Sequence, residues 1–486
     1  MLLMLGRSLG FILSFAIPVV LIRLLTQADF GTYKQFFLVA GTLVAILDVG
    51  TAASLFYFIP IDRRRAANYL LQTVLVSATL ALAAAGALWL LRNYVAAWLN
   101  SPLLTELTPF LAAYIILELL GSLLEYLVII EKQAKLGALL FAGSDAVRAI
   151  ALLLPAILTA DLFWVAAGAA VFATIRFAMF VLWVGWQYRG RLQSGLRLVG
   201  FKSQIHYSFP FAGAGLLDRA LFTFHSFYVA TVFSPAVFAI YAVGCTQIAP
   251  VQIFFRSLFE VALVRMTEFL AVRDLASART LWLKLIGKQA TVVIPLVVIL
   301  WLLARPLIEG VFTAEYLEAT PIFRIYVLMI LLTMFNDHCV LRARAQTRFI
   351  FFANVVALAA CVVLVPILTR QLGVKGAALG LIGGVFTMKL LGLVRAAQML
   401  EVPLRDMIPW QAIARISAGT ALAAAVVYPS AALFDAPLLR FFVCGAAFWL
   451  AYFVVAWFGK ILTVDEKNLI ARTARSLFPV PRALRQ

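Results

Sequence analysis

Apolar runs of about twenty residues follow one another along almost the whole chain, separated by short polar links. At 1.5 Å per helical residue, such a run matches the hydrocarbon thickness of a bilayer. In lipid every backbone N–H and C=O must find its partner within the protein, so runs of this kind fold as helices. Fourteen spans are expected. The first six run roughly 3–24, 35–58, 70–91, 108–130, 137–158 and 162–186. The next six run 207–230, 237–261, 285–304, 321–341, 349–369 and 375–395, and two more run 411–432 and 439–459. The first run, 2–25, is too long for a signal-peptide core and lacks a small-residue cleavage site, so it reads as a span. Of the 486 residues, 64% are hydrophobic and 13% charged. Soluble domains are about half apolar and a quarter charged. The expected fold class is therefore all-α, a polytopic membrane protein.

The formal charge of +18 would suggest nucleic acid in a soluble protein. Here the positions of the charges point elsewhere. With the N-terminus inside, the inner links carry Arg63, Arg64, Arg65, Lys132, Lys135, Arg189, Arg191, Arg197 and Lys202. They continue with Arg265, Arg273, Arg279, Arg342, Arg344 and Arg348, and the tail adds Arg472, Arg475, Arg482 and Arg485. Outer links hold only Lys34, Arg92, Arg305, Arg324, Arg370, Lys375 and Arg440. Such a bias places both termini in the cytoplasm and makes lipid, not nucleic acid, the partner. Two basic amphipathic stretches, 266–285 and 465–478, are expected to lie on the inner membrane surface. The outer links are too short for the loops that an outer-face polymerase or glycosyltransferase would need. Cys245, Cys339, Cys361 and Cys444 are scattered through apolar runs, so neither a zinc site nor a disulfide framework is expected. No nucleophile elbow, phosphate loop or metal-ligand cluster appears, which argues against an enzyme and against a bound cofactor.

A weak duplication organises the spans. Leu25-Thr26-Gln27-Ala28-Asp29-Phe30-Gly31-Thr32-Tyr33 follows the first span, and Phe233-Ser234-Pro235-Ala236-Val237-Phe238-Ala239-Ile240-Tyr241 follows the seventh. Ala28, Phe30 and Tyr33 align with Ala236, Phe238 and Tyr241 at an offset of 208. Glu106, Thr108, Pro109 and Tyr114 then align with Glu318, Thr320, Pro321 and Tyr326 at 212. Six spans separate the copies, so both halves have the same orientation. Parallel repeats of this kind are a transporter architecture, with the substrate held near the midplane between repeats. The expected organisation is 1–186 as the first lobe, 187–206 as a cytoplasmic linker, 207–398 as the second lobe, and 399–486 as two further spans with a basic tail.

Three segments resemble a known family. Leu24-Leu25-Thr26-Gln27-Ala28-Asp29-Phe30-Gly31-Thr32-Tyr33 is similar to the first outer loop of Wzx-type polysaccharide flippases of the multidrug/oligosaccharidyl-lipid/polysaccharide (MOP) exporter superfamily. Tyr316-Leu317-Glu318-Ala319-Thr320-Pro321-Ile322-Phe323-Arg324-Ile325 resembles the loop before their tenth span, and Leu372-Gly373-Val374-Lys375-Gly376-Ala377-Ala378-Leu379 resembles the entry to their twelfth. The resemblance implies two six-helix lobes in a bacterial cytoplasmic membrane. It implies export of a polyprenyl-diphosphate-linked oligosaccharide from inner to outer leaflet, for a surface polysaccharide, with a polysaccharide polymerase as a possible partner. A cation-coupled drug antiporter and a lipid II flippase are the alternatives in the same superfamily. No site residue is carried over from the family.

The candidate site residues come from the chain itself. An ionisable group in mid-membrane is costly and marks function, and arginine binds phosphate through a planar fork. Arg219 lies near the midplane of the seventh span, with Asp218 and His225 on its helix. Arg256 sits at the repeat offset from Asp48, with Glu260 one turn beyond, and Arg7 is near the inner mouth. Arg219, Arg256, Arg7, Asp218 and His225 are expected to bind substrate. Asp48, Glu118, Glu125 and Glu260 are candidates for a coupling ion, H+ or Na+. Asp145 and Arg148 are spaced to pair along one helix, and Arg176, Asp337, His338 and Lys389 are expected to pair or snorkel near inner ends.

Overall fold

The computed structural model describes residues 2–190, 198–427, 434–459, 461–462 and 467–468. Helices account for every regular element among them. The first nine are α1 (Leu2–Leu24), α2 (Gln27–Leu47), α3 (Thr51–Ile61), α4 (Ala66–Leu90), α5 (Arg92–Trp98), α6 (Leu103–Gly121), α7 (Leu123–Ile130), α8 (Ala134–Thr159) and α9 (Leu162–Gln187). The next nine are α10 (Phe201–Val232), α11 (Pro235–Gly244), α12 (Ala249–Ala271), α13 (Leu275–Leu302), α14 (Ala304–Phe312), α15 (Ala319–Leu332), α16 (Asp337–Ala343), α17 (Thr347–Leu372) and α18 (Val374–Met399). Two more follow, α19 (Trp410–Val427) and α20 (Pro437–Phe458). Among the described residues, eleven segments are long and apolar enough to cross a membrane. The protein is an all-α, multi-spanning membrane protein.

The links aligned in the sequence have matching caps. Thr26 caps α2 in extended conformation (φ −64°, ψ 160°) and accepts from the Asp29 N–H. At an offset of 208, Ser234 caps α11 (φ −65°, ψ 159°) and accepts from the Val237 N–H. Leu91 and Leu303, 212 apart, stand before the short helices α5 and α14 with nearly equal dihedrals (φ −96°, ψ 9° and φ −91°, ψ 15°). Both close the same tetrapeptide, since Leu88-Trp89-Leu90-Leu91 recurs as Leu300-Trp301-Leu302-Leu303. In each copy an arginine lies over the tryptophan: Arg92 over Trp89 at 4.6 Å and Arg324 over Trp301 at 4.7 Å.

Several expected spans are broken or shifted. The second begins at Gln27, not near 35, so Lys34 lies within α2 rather than in an outer link; its ammonium sits 5.2 Å from the Phe30 ring and 5.8 Å from the Tyr33 ring. The same span breaks between α2 and α3, where Val49 (φ 38°) and Gly50 (φ 71°) turn left-handed. The fourth breaks at Ser122 between α6 and α7, and the tenth between α15 and α16. The eighth is α11 and α12, divided at residues 245–248. The stretch 266–285 is not a separate element: it closes α12 and opens α13. Asp274 caps α13 by accepting from Ser277 N–H at 3.0 Å, and those bonds hold its exposed carboxyl below the usual carboxylate range. Met266, Leu270, Ala278 and Trp282 on either side are fully buried in a core. Of the stretch 465–478, all but residues 467–468 lies outside the described residues.

The described chain forms two compact units, Met1–Thr246 with Asn354–Gly384, and Gln247–Ala353 with Val385–Gln486. In the first, α2 meets α11 backbone to backbone: a Cβ on Gly31 would lie 1.8 Å from the Pro235 carbonyl oxygen, so only glycine fits. The start of α10 docks through buried Gln204, whose amide donates to Ser54 Oγ at 3.0 Å and Thr73 Oγ1 at 2.9 Å. In the second unit, buried Trp282 donates to the Met407 carbonyl at 2.8 Å, and Tyr452 of α20 donates to the Thr291 carbonyl of α13 at 2.9 Å. These three buried donors thus find acceptors far away in sequence, as lipid favours.

Candidate functional site

Within the first unit, Arg219 sits past the middle of α10 and is partly buried. Its guanidinium leans on α2 at Gly41, where a Cβ would come within 2.9 Å of Nη2. Nε has no hydrogen-bond partner among the described residues. A donor left open on a rigid fork is suited to an anionic oxygen supplied from outside. Asp218 is exposed beside it.

His225 is placed differently from the expectation. It is 4% exposed, with Nδ1 2.6 Å from Tyr241 Oη and Nε2 3.1 Å from the Phe222 carbonyl. A carbonyl needs a donor, so Nε2 carries the hydrogen and Nδ1 accepts from the tyrosine. Both nitrogens are occupied inside the protein, which leaves none for a substrate. The residue ties α10 to α11. Asp48 likewise serves the chain at its break: Oδ1 accepts from the Ala52 N–H at 3.4 Å and its carbonyl accepts from Thr51 Oγ1 at 3.0 Å. Glu260 is exposed on α12. The side chains of Arg7 and Arg256 lie outside the described residues.

The sequence underestimated two charge clusters. In the first unit Arg176 of α9 donates to Glu118 of α6 through Nη1 and to Glu125 of α7 through Nη2. Gly121 permits this approach, since a Cβ there would lie 3.1 Å from the Phe177 nitrogen. Arg176 and Glu118 are mostly buried and Glu125 is 40% exposed. Two carboxylates on one guanidinium leave an excess of one negative charge. A cavity of about 20 Å³ lined by Glu125, Ser144 and Arg176 adjoins the cluster, room for about one water. In the second unit Asp337, 1% exposed, accepts from Lys389 Nζ at 2.7 Å and lies 3.7 Å from His338 Nε2. Lys389 also donates to the Phe335 carbonyl at 3.0 Å. The expected Asp145–Arg148 pair does not form. Asp145 accepts from Ser14 of α1 at 3.0 Å, and Arg148 lies over the Phe37 ring at 5.8 Å. Among the described residues no group of three or more His, Cys, Asp or Glu side chains is placed to hold a metal ion.

The comparisons with known proteins agree with this architecture. No curated protein matches the sequence significantly. Among solved structures, the chain is similar to a lipid II flippase MurJ in an inward closed conformation, with 14% identity, TM-score 0.71, and 95% of this chain and 100% of that one covered. It is similar to an inward-facing multidrug resistance MATE family transporter of the MOP superfamily, with 14% identity, TM-score 0.62, and 81% and 94% covered. A Vibrio cholerae MATE transporter aligns with 13% identity, TM-score 0.56, and 82% and 96% covered. At these identities the likeness is one of fold. A family model described as "Polysaccharide biosynthesis protein" matches residues 20–321, more than half of the chain. The chain therefore belongs to the family described as polysaccharide biosynthesis protein.

Proposed function

We propose that this transport protein moves a polyprenyl-diphosphate-linked oligosaccharide from the inner to the outer leaflet of a bacterial cytoplasmic membrane by alternating access, in surface polysaccharide biosynthesis. The observation that carries the reading is Arg219, a partly buried guanidinium on α10 with an unpartnered Nε, in a chain of this family. Arginine suits a diphosphate because its planar fork offers paired donors. Asp218 beside it completes the proposed contact set in the first unit. Fourteen spans, as two six-span repeats and two C-terminal helices, fit the recurrent element order. Loss of the protein is expected to leave diphosphate-linked oligosaccharide accumulating on the inner leaflet, measured by lipid extraction. Normal lipids with altered drug sensitivity would instead assign the antiporter function, and accumulation of lipid II the peptidoglycan one.

The proposed topology has both termini in the cytoplasm. Single cysteines replacing Asn100 and Glu315, in a background without the four native cysteines, are expected to react with an impermeant thiol reagent in intact cells. A cysteine replacing Arg64 is expected to stay unlabelled, and its labelling would reverse the topology.

A further inference from the structure

We propose that Lys389 is the resident cation of a broken-helix cation site, and that its removal opens this site to a small monovalent cation, with Na+ as the best fit. The tenth span is interrupted between α15 and α16, where residues 333–335 tighten to i→i−3 bonds and Asn336 (φ −84°, ψ 52°) leaves helical geometry. The break frees the Phe335 carbonyl from the helical ladder, and Asp337 opens α16 directly after it. A freed carbonyl beside a buried carboxylate is the donor set with which discontinuous membrane helices hold a coupling cation. Here both oxygens are taken by an ammonium of the protein itself, at 3.0 Å and 2.7 Å. The second Asp337 oxygen is pressed against α18, where a Cβ on Gly392 would lie 1.9 Å from Oδ2. The carboxylate is therefore fixed against α18 beside Lys389 and is 1% exposed. A carboxylate so buried stays ionised only with a cation next to it; otherwise it takes up a proton.

The first half repeats the device independently. Glu125 follows the break of the fourth span as Asp337 follows that of the tenth, at the repeat offset of 212. Arg176 stands on α9 within one residue of the position equivalent to Lys389 on α18. It too supplies its charge to the carboxylates at the break. Both breaks thus carry a tethered cation from the sixth span of their repeat, and the second has the carbonyl-and-carboxylate chemistry to accept a free one. The inference concerns the helix break and stands whatever the cargo is.

The test is thermal unfolding of the purified full-length protein in NaCl, KCl and choline chloride at equal ionic strength. The wild type is expected to unfold at one midpoint in all three. Lys389→Ala is expected to be less stable in choline and to recover with NaCl in a saturable way, and Lys389→Ala with Asp337→Asn to lose that response. Lys389→Gln, which keeps the bulk and a donor, is the second variant and is expected to show the same Na+ response. Equal midpoints for these variants in NaCl and choline would overturn the proposal. So would a Na+-specific stabilisation of the wild type that Asp337→Asn removes, a measurement that needs no Lys389 variant to fold.

Discussion

Arg176→Leu is expected to lower the stability of the protein by about 3 kcal/mol, the lower end of the range for an uncompensated buried charge. The guanidinium is the group that Glu118 and Glu125 share. Without it, two carboxylates one heptad apart repel each other, with Glu118 mostly buried in a span where water cannot screen it. The cost lies mainly with Glu118, which is 15% exposed against 40% for Glu125. The double variant Arg176→Leu with Glu118→Leu removes both charges and is expected to regain most of the loss, since apolar pairs of similar volume often replace a buried ion pair without penalty. Unfolding midpoints in detergent read both effects. An unchanged midpoint for Arg176→Leu would mean that the cluster is hydrated and carries no structural weight.

Arg219→Ala is expected to abolish export while leaving the protein in the membrane at its normal level. The guanidinium leans on bare backbone at Gly41 rather than on an acid across the bundle, so its loss removes a charge without stranding a buried partner. Arg219→Lys is expected to retain part of the function, because the charge stays but the fork is lost. Gly41→Leu is expected to act like Arg219→Ala, since its side chain would take the space of Nη2. Quantifying inner-leaflet diphosphate-linked oligosaccharide alongside membrane protein level separates transport from folding. Full export by Arg219→Ala would remove this residue from the site.

The helices and their order were legible because the bilayer imposes a length and an apolar composition that local sequence reveals. The repeat was legible at its caps, where Thr26 and Ser234 must accept from freed N–H groups. The recurrent Leu-Trp-Leu-Leu at 88–91 and 300–303 was available and was the stronger signal. The breaks were not legible. Those after Leu47, Gly121 and Leu332 carry no proline, and their few polar residues (Asp48, Ser122, Thr333, Asn336) lie inside long apolar runs, so averaged hydropathy passes through them. Partners distant in sequence were equally hidden. Glu118 is 58 residues from Arg176, and neighbour spacing instead suggested Asp145 with Arg148, whose side chains turn to Ser14 and Phe37. His225 was read as a ligand because a buried histidine was visible and Tyr241, its partner on the next helix, was not assigned to it.

Transport of a diphosphate-linked glycan by this chain is read in reconstituted vesicles. The cargo bears about two negative charges, so a potential negative on the cytoplasmic side favours its exit by roughly 4.6 kcal/mol per 100 mV. Vesicles are loaded with diphosphate-linked oligosaccharide, the protein is inserted, and an impermeant reagent reports the glycan exposed at each face. The predicted result is a protein-dependent transfer that accelerates under an imposed potassium-diffusion potential of that sign and is lost with Arg219→Ala. Glycan that stays in its original leaflet at every potential, with wild-type protein present, would contradict the account.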